Sequence, residues 1–177
     1  LPKNRQTILF SATMPQKIQQ LARTILNNPV EVKLAVSKPA EKIQQSAYVC
    51  YEAQKLSLIK YLFKEQKPER VIIFTGSKIK TKDLAVSLSR AGFNVCAMHS
   101  DLAQSERDEA MYAFRAGKVD ILVATDIVAR GIDIDDIQLV INFDVPHDEE
   151  DYVHRIGRTA RAGRNGRAIT LVNEKDQ

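Results

Sequence analysis

The segment RVIIFTGSKIKTKDLAVSLSRAG (residues 70–92) contains the unit from which the fold can be predicted. It begins with a predicted strand over 70–75, whose central residues are all apolar, as in strands that are covered on both faces. A segment with helical periodicity follows, and Gly92 is expected to end that helix. An apolar strand that leads directly into a helix predicts an α/β fold with a buried, mainly parallel sheet and helices on both faces.

The same alternation of strands and helices continues on both sides of this unit. Further strands are predicted at 7–11, 46–51, 94–98, 120–125, 139–143 and 168–172. Helices are predicted at 15–28, 54–66, 102–116 and 149–157, and a capping box of Asp101 and Gln104 is expected to open the third of them. The polar stretch 32–45 contains Pro39 and lacks periodicity, which indicates a linker. We therefore expect an upstream piece (1–35), a linker (36–44) and a main three-layer domain (45–177).

Composition narrows the class of protein. The chain has 177 residues, of which 44% are hydrophobic and 27% charged, and this is typical of a soluble globular protein. Its net charge of +4 indicates a mild preference for polyanions. Cys50 and Cys96 lie in apolar runs and suggest a reduced, intracellular protein. Three histidines without a Cys/His pair at ligand spacing argue against a zinc site, so no metal site is predicted in this chain. No membrane span or signal peptide is apparent, and the start of the sequence suggests a fragment.

Polar residues follow the predicted strands where each strand ends. Ligands of parallel α/β sheets bind outside the carboxyl ends of the strands, so these residues are expected to share one edge. They are Thr75-Gly76-Ser77, His99-Ser100-Asp101, Thr125-Asp126 and Asp144. Hydroxyls and backbone N–H groups beside helix N-termini bind phosphate well, and aromatic residues are few, so contact with a sugar-phosphate backbone is predicted. Each feature taken singly also has a structural interpretation: an ordinary turn, a core histidine, a helix cap.

The stretch HRIGRTARAGRNGR (154–167) has an arginine at every third position from Arg155 to Arg167. On an α-helix each arginine would lag the previous one by about 60°, so they could not form one stripe. Glycines also interrupt the run, which favours different roles for different arginines over a plain solvated basic face.

Five segments together resemble motifs III, IV, IVa, V and VI of the DEAD-box RNA helicases, in the order of that family. They are SAT (11–13), VIIFTGSK (71–78), QSERDEAMYAF (104–114), LVATDIVARGIDI (122–134) and YVHRIGRTARAGR (152–164). The resemblance implies a C-terminal RecA-like lobe preceded by the end of the first lobe. Ala160 and Ser100 stand where the family more often has glycine, and modest effects are expected of them.

The resemblance also implies roles for individual residues. Arg158 and Arg161 would be catalytic arginine fingers that contact the ATP γ-phosphate, and Asp133 would bind the ATP ribose. The residues implied in holding RNA phosphates are Thr75, Ser77, Arg107, Thr125 and Gly131. Those implied in coupling the two lobes are Ser11, Thr13, His154 and Arg155. Arg130 would brace the motif V loop, whereas Arg164 and Arg167 receive no firm role.

The implied cofactors are ATP and Mg²⁺, and the implied partners are RNA, bound without sequence specificity, and the N-terminal lobe. Neither a G-x-x-x-x-G-K-[ST] loop nor a D-E-A-D sequence occurs in the chain, so the Mg²⁺ ligands are expected upstream and the chain alone should not hydrolyse ATP. A cytoplasmic location without membrane association is expected. Two alternatives remain open: a passive RNA-binding module, and a member of the wider helicase superfamily that acts on DNA.

Overall fold

Six strands form the sheet of the computed structural model, and every neighbouring pair is parallel. The strands are β1 (Ile43–Val49), β2 (Val71–Phe74), β3 (Val95–Met98), β4 (Ile121–Ala124), β5 (Leu139–Asn142) and β6 (Gly166–Val172). Their order across the sheet is β1-β6-β5-β2-β4-β3. The predicted parallel α/β fold is therefore confirmed.

The structure describes residues 2, 4–11, 14, 16–32, 42–126, 137–160 and 165–176. The chain divides into two units, residues 1–36 and 37–177, and the sheet belongs to the second. The helices are α1 (Gln16–Ile25), α2 (Lys55–Glu65), α3 (Lys78–Arg90), α4 (Gln104–Arg115) and α5 (Glu149–Ile156), with a short 3₁₀ helix at Glu52–Gln54. None of the helices in the described ranges is long and apolar enough to cross a membrane.

Apolar side chains cover both faces of the sheet, because alternate residues of each buried strand point to opposite sides. Val71 and Ile73 of β2 belong to a cluster with residues of α2 and α3. Ile72 and Phe74 belong to a second cluster, which contains Phe114 of α4. The central strands are thus buried between two helical layers, which explains why they have no alternating polar residues.

Helix boundaries confirm one predicted signal and correct another. Gly92 has φ +90° after α3, and the N–H groups of Gly92 and Phe93 bond to the carbonyls of Ser89 and Leu88, which is a Schellman termination. The predicted capping box of Asp101 and Gln104 is wrong. Helix α4 begins after Ala103, whose N–H donates to Glu106 Oε2 at 2.7 Å. Two lysines bind the carboxylate of Asp101 instead.

Two expectations at the start of the chain also differ from the structure. Residues 7–11 do not form the predicted strand, and Ile8 and Phe10 are exposed. A strand needs a neighbour for its backbone hydrogen bonds, and no described segment of residues 1–36 supplies one. The predicted linker 36–44 overlaps β1, which begins at Ile43.

Candidate functional site

The strand registers bring the predicted polar edge together. Met98, Ala124, Phe74 and Asn142 pair in sequence across β3, β4, β2 and β5, so the residues that follow them lie side by side. These are His99, Thr125, Thr75 and Phe143. Because neighbouring strands are about 4.8 Å apart, the row is about 15 Å long. This carboxyl edge carries four of the polar segments identified from sequence.

The loop 75–77 joins β2 to α3 at the centre of this edge. Ser77 is exposed and is the N-cap of α3, with its Oγ accepting from Lys80 N at 3.3 Å. Thr75, in contrast, is 1% exposed, and its hydroxyl lies 2.6 Å from the hydroxyl of Thr81. Ser77 is therefore placed where it could meet a phosphate, whereas Thr75 holds the loop. The RNA contact of the Thr75 side chain stays a prediction that would require this hydroxyl pair to open.

A second polar group follows β3. Arg107 of α4 donates from Nη2 to the carbonyl of Ser100 at 3.0 Å, and its Nε is buried without a hydrogen-bond partner in the described part of the chain. His99 Nδ1 is also buried without one. Burial, with the nearby positive charge of Lys82, lowers the pKa of His99. Lys78 and Lys82 hold the pKa of Asp101 at about 2, so the group contains paired charges of both signs.

Arg155 of α5 is 3% exposed and reaches the same edge. Its Nε and Nη2 donate to the two carboxylate oxygens of Asp126 at 2.6 and 2.7 Å. Its Nη1 donates to Asp144 O at 2.7 Å and Asn142 Oδ1 at 3.3 Å, and the guanidinium lies 5.2 Å from the ring centroid of Phe74. We call these residues the Arg155 clamp. It joins the ends of β4 and β5 to α5, using the planar, forked geometry that only arginine offers.

The clamp changes the interpretation of two residues. Asp126, for which a turn cap was the structural interpretation, is instead the bidentate partner of Arg155. Arg155 was predicted to couple the lobes, and its hydrogen bonds to Asp126, Asn142 and Asp144 lie within residues 37–177. The role of Arg155 in coupling the two lobes stays a prediction.

The chain beyond α5 leaves the carboxyl edge. Thr159 Oγ1 donates to the carbonyl of Ile137, which precedes β5, so residue 159 lies at the amino end of that strand. Arg158, the residue before it, is half-buried. Gly166 allows β6 to begin against this turn, because a Cβ there would lie 2.7 Å from the backbone nitrogen of Ala160. The backbone at Arg158 therefore lies near the amino end of β5, whereas the loops predicted to bind RNA follow the carboxyl ends of the strands.

Four charged residues lie beside the loop 75–77, and we call them the Lys55 network: Glu52, Lys55, Lys80 and Asp144. Sequence reasoning identified Asp144 but missed the other three. Lys55 is 0% exposed, donates to Phe143 O at 2.8 Å and lies 2.8 Å from Glu52 Oε2. Lys80 bridges Glu52 Oε1 at 3.0 Å and Asp144 Oδ1 at 2.6 Å. The sequence does contain one indication of the network. Lys55 lies on the same face of α2 as Ile59 and Phe63, and a lysine on an apolar helix face needs a partner for its charge.

Hydrogen bonding keeps Glu52 ionised in this network. Burial opposes the charge, but bonds from Lys55, Lys80 and Asn173 outweigh it and lower the pKa of Glu52 to about 2. Burial likewise opposes the charge of Lys80, while its carboxylate partners raise the pKa of Lys80 above its usual value. Glu52 and Lys80 are therefore both charged at neutral pH.

Several predicted site residues lie outside the described residues: Thr13, Gly131, Asp133 and Arg161, with Arg130 and Arg164. Ser11 is exposed in the first unit, and His154 is half-buried on α5. Within the described ranges, no group of three or more His, Cys, Asp or Glu side chains could hold a metal ion. The assigned functions of all these residues stay predictions.

Comparison with known proteins places this geometry in a family. Residues 54–163 match the model of the helicase conserved C-terminal domain. The chain is 41% identical over 175 residues to the human probable ATP-dependent RNA helicase DDX23, covering 98% of the chain and 21% of that protein. It is 42% identical over 177 residues to the DEAD-box ATP-dependent RNA helicase CshA of Geobacillus kaustophilus, covering 99% of the chain and 38% of that protein. The chain thus spans less than half the length of these relatives.

Solved structures agree with this match. Dbp5 of S. cerevisiae, bound to RNA and ADP BeF3, superposes with a TM-score of 0.86 at 36% identity, over 99% of this chain and 47% of that one. The E. coli DEAD-box protein SrmB superposes with a TM-score of 0.73 at 43% identity, over 77% of this chain and 81% of that one. The chain therefore belongs to the helicase conserved C-terminal domain family, as a RecA-like C-terminal lobe of the DEAD-box type.

Proposed function

We propose that the intact protein is an ATP-dependent RNA helicase, and that this lobe binds the RNA backbone and completes the ATP site. The observation that carries the proposal is the carboxyl edge, where Ser77 and Thr125 follow neighbouring strands of one parallel sheet and Arg107 of α4 bonds to the loop after the next strand. Hydroxyls, a helix N-terminus and a guanidinium are groups that bind phosphates without reading bases. The similarity to an RNA-bound relative over nearly the whole chain supports the same function.

In this proposal the two ligands use different parts of the lobe. RNA phosphates would meet the carboxyl edge, while Arg158 and Arg161 would face the ATP phosphates from beyond α5. A permanently charged, planar guanidinium suits the charge that spreads over a transferring phosphoryl group. ATP would bind with Mg²⁺ held by acidic residues outside this chain. Residues 1–35 would be the end of the first lobe, and four residues would couple it to the second: Ser11, Thr13, His154 and Arg155.

The decisive experiment is ATP hydrolysis by the intact two-lobe protein, with and without single-stranded RNA. We expect RNA to stimulate the wild type, and we expect the Arg158→Ala/Arg161→Ala variant to lose about 10³-fold or more in turnover. Arg90→Ala is the matched control, because this exposed arginine ends α3 away from the carboxyl edge. If RNA stimulates neither the wild type nor the control, a passive RNA-binding module becomes the better interpretation.

RNA binding should also show the character of phosphate contacts. Binding to the isolated lobe is expected to be weak, independent of sequence and strongly reduced by salt. An otherwise identical DNA strand distinguishes the RNA proposal from a DNA-acting helicase, because only RNA offers 2′-hydroxyls. Equal stimulation of ATP hydrolysis by both strands would favour the DNA-acting alternative.

A reducing compartment, the cytoplasm, is the proposed location. Cys50 and Cys96 are both free thiols, as is usual for proteins of reducing compartments. Fractionation of cells that produce the intact protein tests this, and recovery in an oxidising compartment would contradict it.

A further inference from the structure

Asp144 belongs to both the Arg155 clamp and the Lys55 network. Its Oδ2 accepts the N–H of Gly76 at 2.7 Å, and its Oδ1 accepts from Lys80 Nζ at 2.6 Å. Its backbone carbonyl accepts from Arg155 Nη1 at 2.7 Å. Asp144 therefore ties the middle of the loop 75–77 to the end of β5, and it fixes the direction of the peptide group between Thr75 and Gly76.

A carboxylate in this place has an electrostatic cost for the proposed function. Ser77 and the N-terminus of α3 are the groups expected to receive an RNA phosphate, and a neighbouring negative charge repels that phosphate. Lys80 at 2.6 Å and Lys55 at 3.7 Å offset the charge of Asp144. A purely electrostatic site would lack this carboxylate, so its hydrogen bond to Gly76 needs an explanation.

We propose that Asp144 is a positioning residue for RNA binding. By accepting the Gly76 N–H it holds the loop 75–77 so that Ser77 and the first turn of α3 face the RNA phosphate. Lys80 and Glu52 hold the carboxylate in turn, since Lys80 bridges the two acids. This role rests on the proposed function, because it concerns the same RNA-binding loop.

The Asp144→Asn variant tests the proposal because two effects have opposite signs. Asparagine keeps an oxygen at only one of the two carboxylate positions and places an NH2 donor at the other, so Gly76 and Lys80 can no longer bond to separate oxygens and the hold on the loop is weakened. Loss of a negative charge, taken alone, should tighten RNA binding. We expect the half-saturating concentration of oligouridylate in the ATPase assay of the intact protein to rise about fivefold, the effect of losing one hydrogen bond. The turnover at saturating RNA should stay within about twofold.

Two comparisons separate positioning from charge and from folding. Asp101→Asn removes another carboxylate from the same edge and frees Lys78 and Lys82, so RNA binding should be unchanged or tighter. Asp144→Asn/Lys80→Met and Asp144→Ala/Lys80→Met have equal charge, but only the asparagine offers Gly76 an acceptor. We expect the asparagine pair to bind RNA like the wild type and the alanine pair to bind more weakly. The two double variants also test the positioning role if Asp144→Asn alone does not fold.

The possible results are distinct. If RNA does not stimulate the wild type, the proposed function is wrong, and the role of Asp144 is overturned with it. If RNA stimulates the wild type but Asp144→Asn binds RNA as tightly as Asp101→Asn, only the positioning role is overturned. Equal RNA binding by the two double variants would also overturn it. A lower melting temperature with an unchanged half-saturating RNA concentration would assign Asp144 to stability alone.

Discussion

Replacing Arg155 with methionine should destabilise this lobe more than any surface substitution. Arg155→Met keeps a long apolar side chain but removes four hydrogen bonds, two of them to the carboxylate of Asp126. Breaking a buried ion pair on one side costs about 3–5 kcal/mol. The side chain of Asp126 is 22% exposed and regains some hydration, so we expect about 3 kcal/mol. Arg155→Lys should cost about half as much, because one ammonium cannot span Asp126, Asn142 and Asp144 together.

Urea denaturation followed by circular dichroism at 222 nm measures this loss in the 177-residue chain. With a urea slope of about 2 kcal/mol per molar, Arg155→Met should lower the midpoint by about 1.5 M. Arg90→Met, a change at an exposed arginine of α3, should change stability by less than about 0.5 kcal/mol.

A double variant tests the physical reason for the effect. Asp126→Leu added to Arg155→Met removes both charges, and well-packed apolar pairs often replace buried ion pairs without loss. The double variant should therefore be more stable than Arg155→Met alone. If Arg155→Met costs no more than Arg90→Met, or if the two clamp substitutions simply add, the clamp does not stabilise the lobe in the way described.

Three further outcomes are expected. Gly166→Ala should destabilise the chain by about 2 kcal/mol or more, because the new Cβ would overlap Thr159. Gly76→Ala should fold normally, because its Cβ would approach Asp144 no closer than 3.4 Å. Melting temperatures of the two variants test this difference. The folded-state pKa of Glu52, about 2, lies below its unfolded value near 4.5, so its stabilisation is complete above about pH 5 and is lost as pH falls toward 2. After solvent screening the contribution of Glu52 is about 1 kcal/mol. The free energy of unfolding should therefore fall more steeply between about pH 5 and pH 2 in the wild type than in Glu52→Gln. An equal fall in both proteins would contradict the assignment. Burial raises the pKa of Cys96 to about 11, so iodoacetamide at pH 8 should label Cys96 far more slowly in the folded chain than in urea, and equal labelling rates would argue against burial.

Local patterns predicted the strands of the main domain because buried parallel strands have a distinctive sequence. The runs around Val71–Phe74 and Ile121–Ala124 are apolar throughout, and the structure confirms both as central strands. The termination at Gly92 was predictable for the same local reason, since a left-handed residue after a helix favours glycine. The run at 7–11 is equally strand-like, yet it forms no strand, because pairing depends on a neighbour that local sequence does not supply.

Capping and charge pairing were less predictable, because several partners compete for the same side chain. Asp101 is a residue type that often caps helices and is suitably spaced from Gln104, but the start of α3 brings Lys78 and Lys82 to it. Asp126 similarly looks like a turn residue until α5 carries Arg155 back across the sheet. Such contacts join residues about 20 to 30 positions apart, and sequence spacing does not identify them.

The sequence by itself determined the parallel α/β class, the polar edge after the strands and the resemblance to a helicase family, a membership that the family comparison confirms. These follow from local periodicity and from the rule that parallel strands present their carboxyl ends at one edge. Only the tertiary structure decided which side chains hold that edge: Arg155 against Asp126, and Asp144 between Gly76 and Lys80. A strand order of β1-β6-β5-β2-β4-β3 makes neighbours of segments far apart in the chain, and buried charges take their partners from those neighbours.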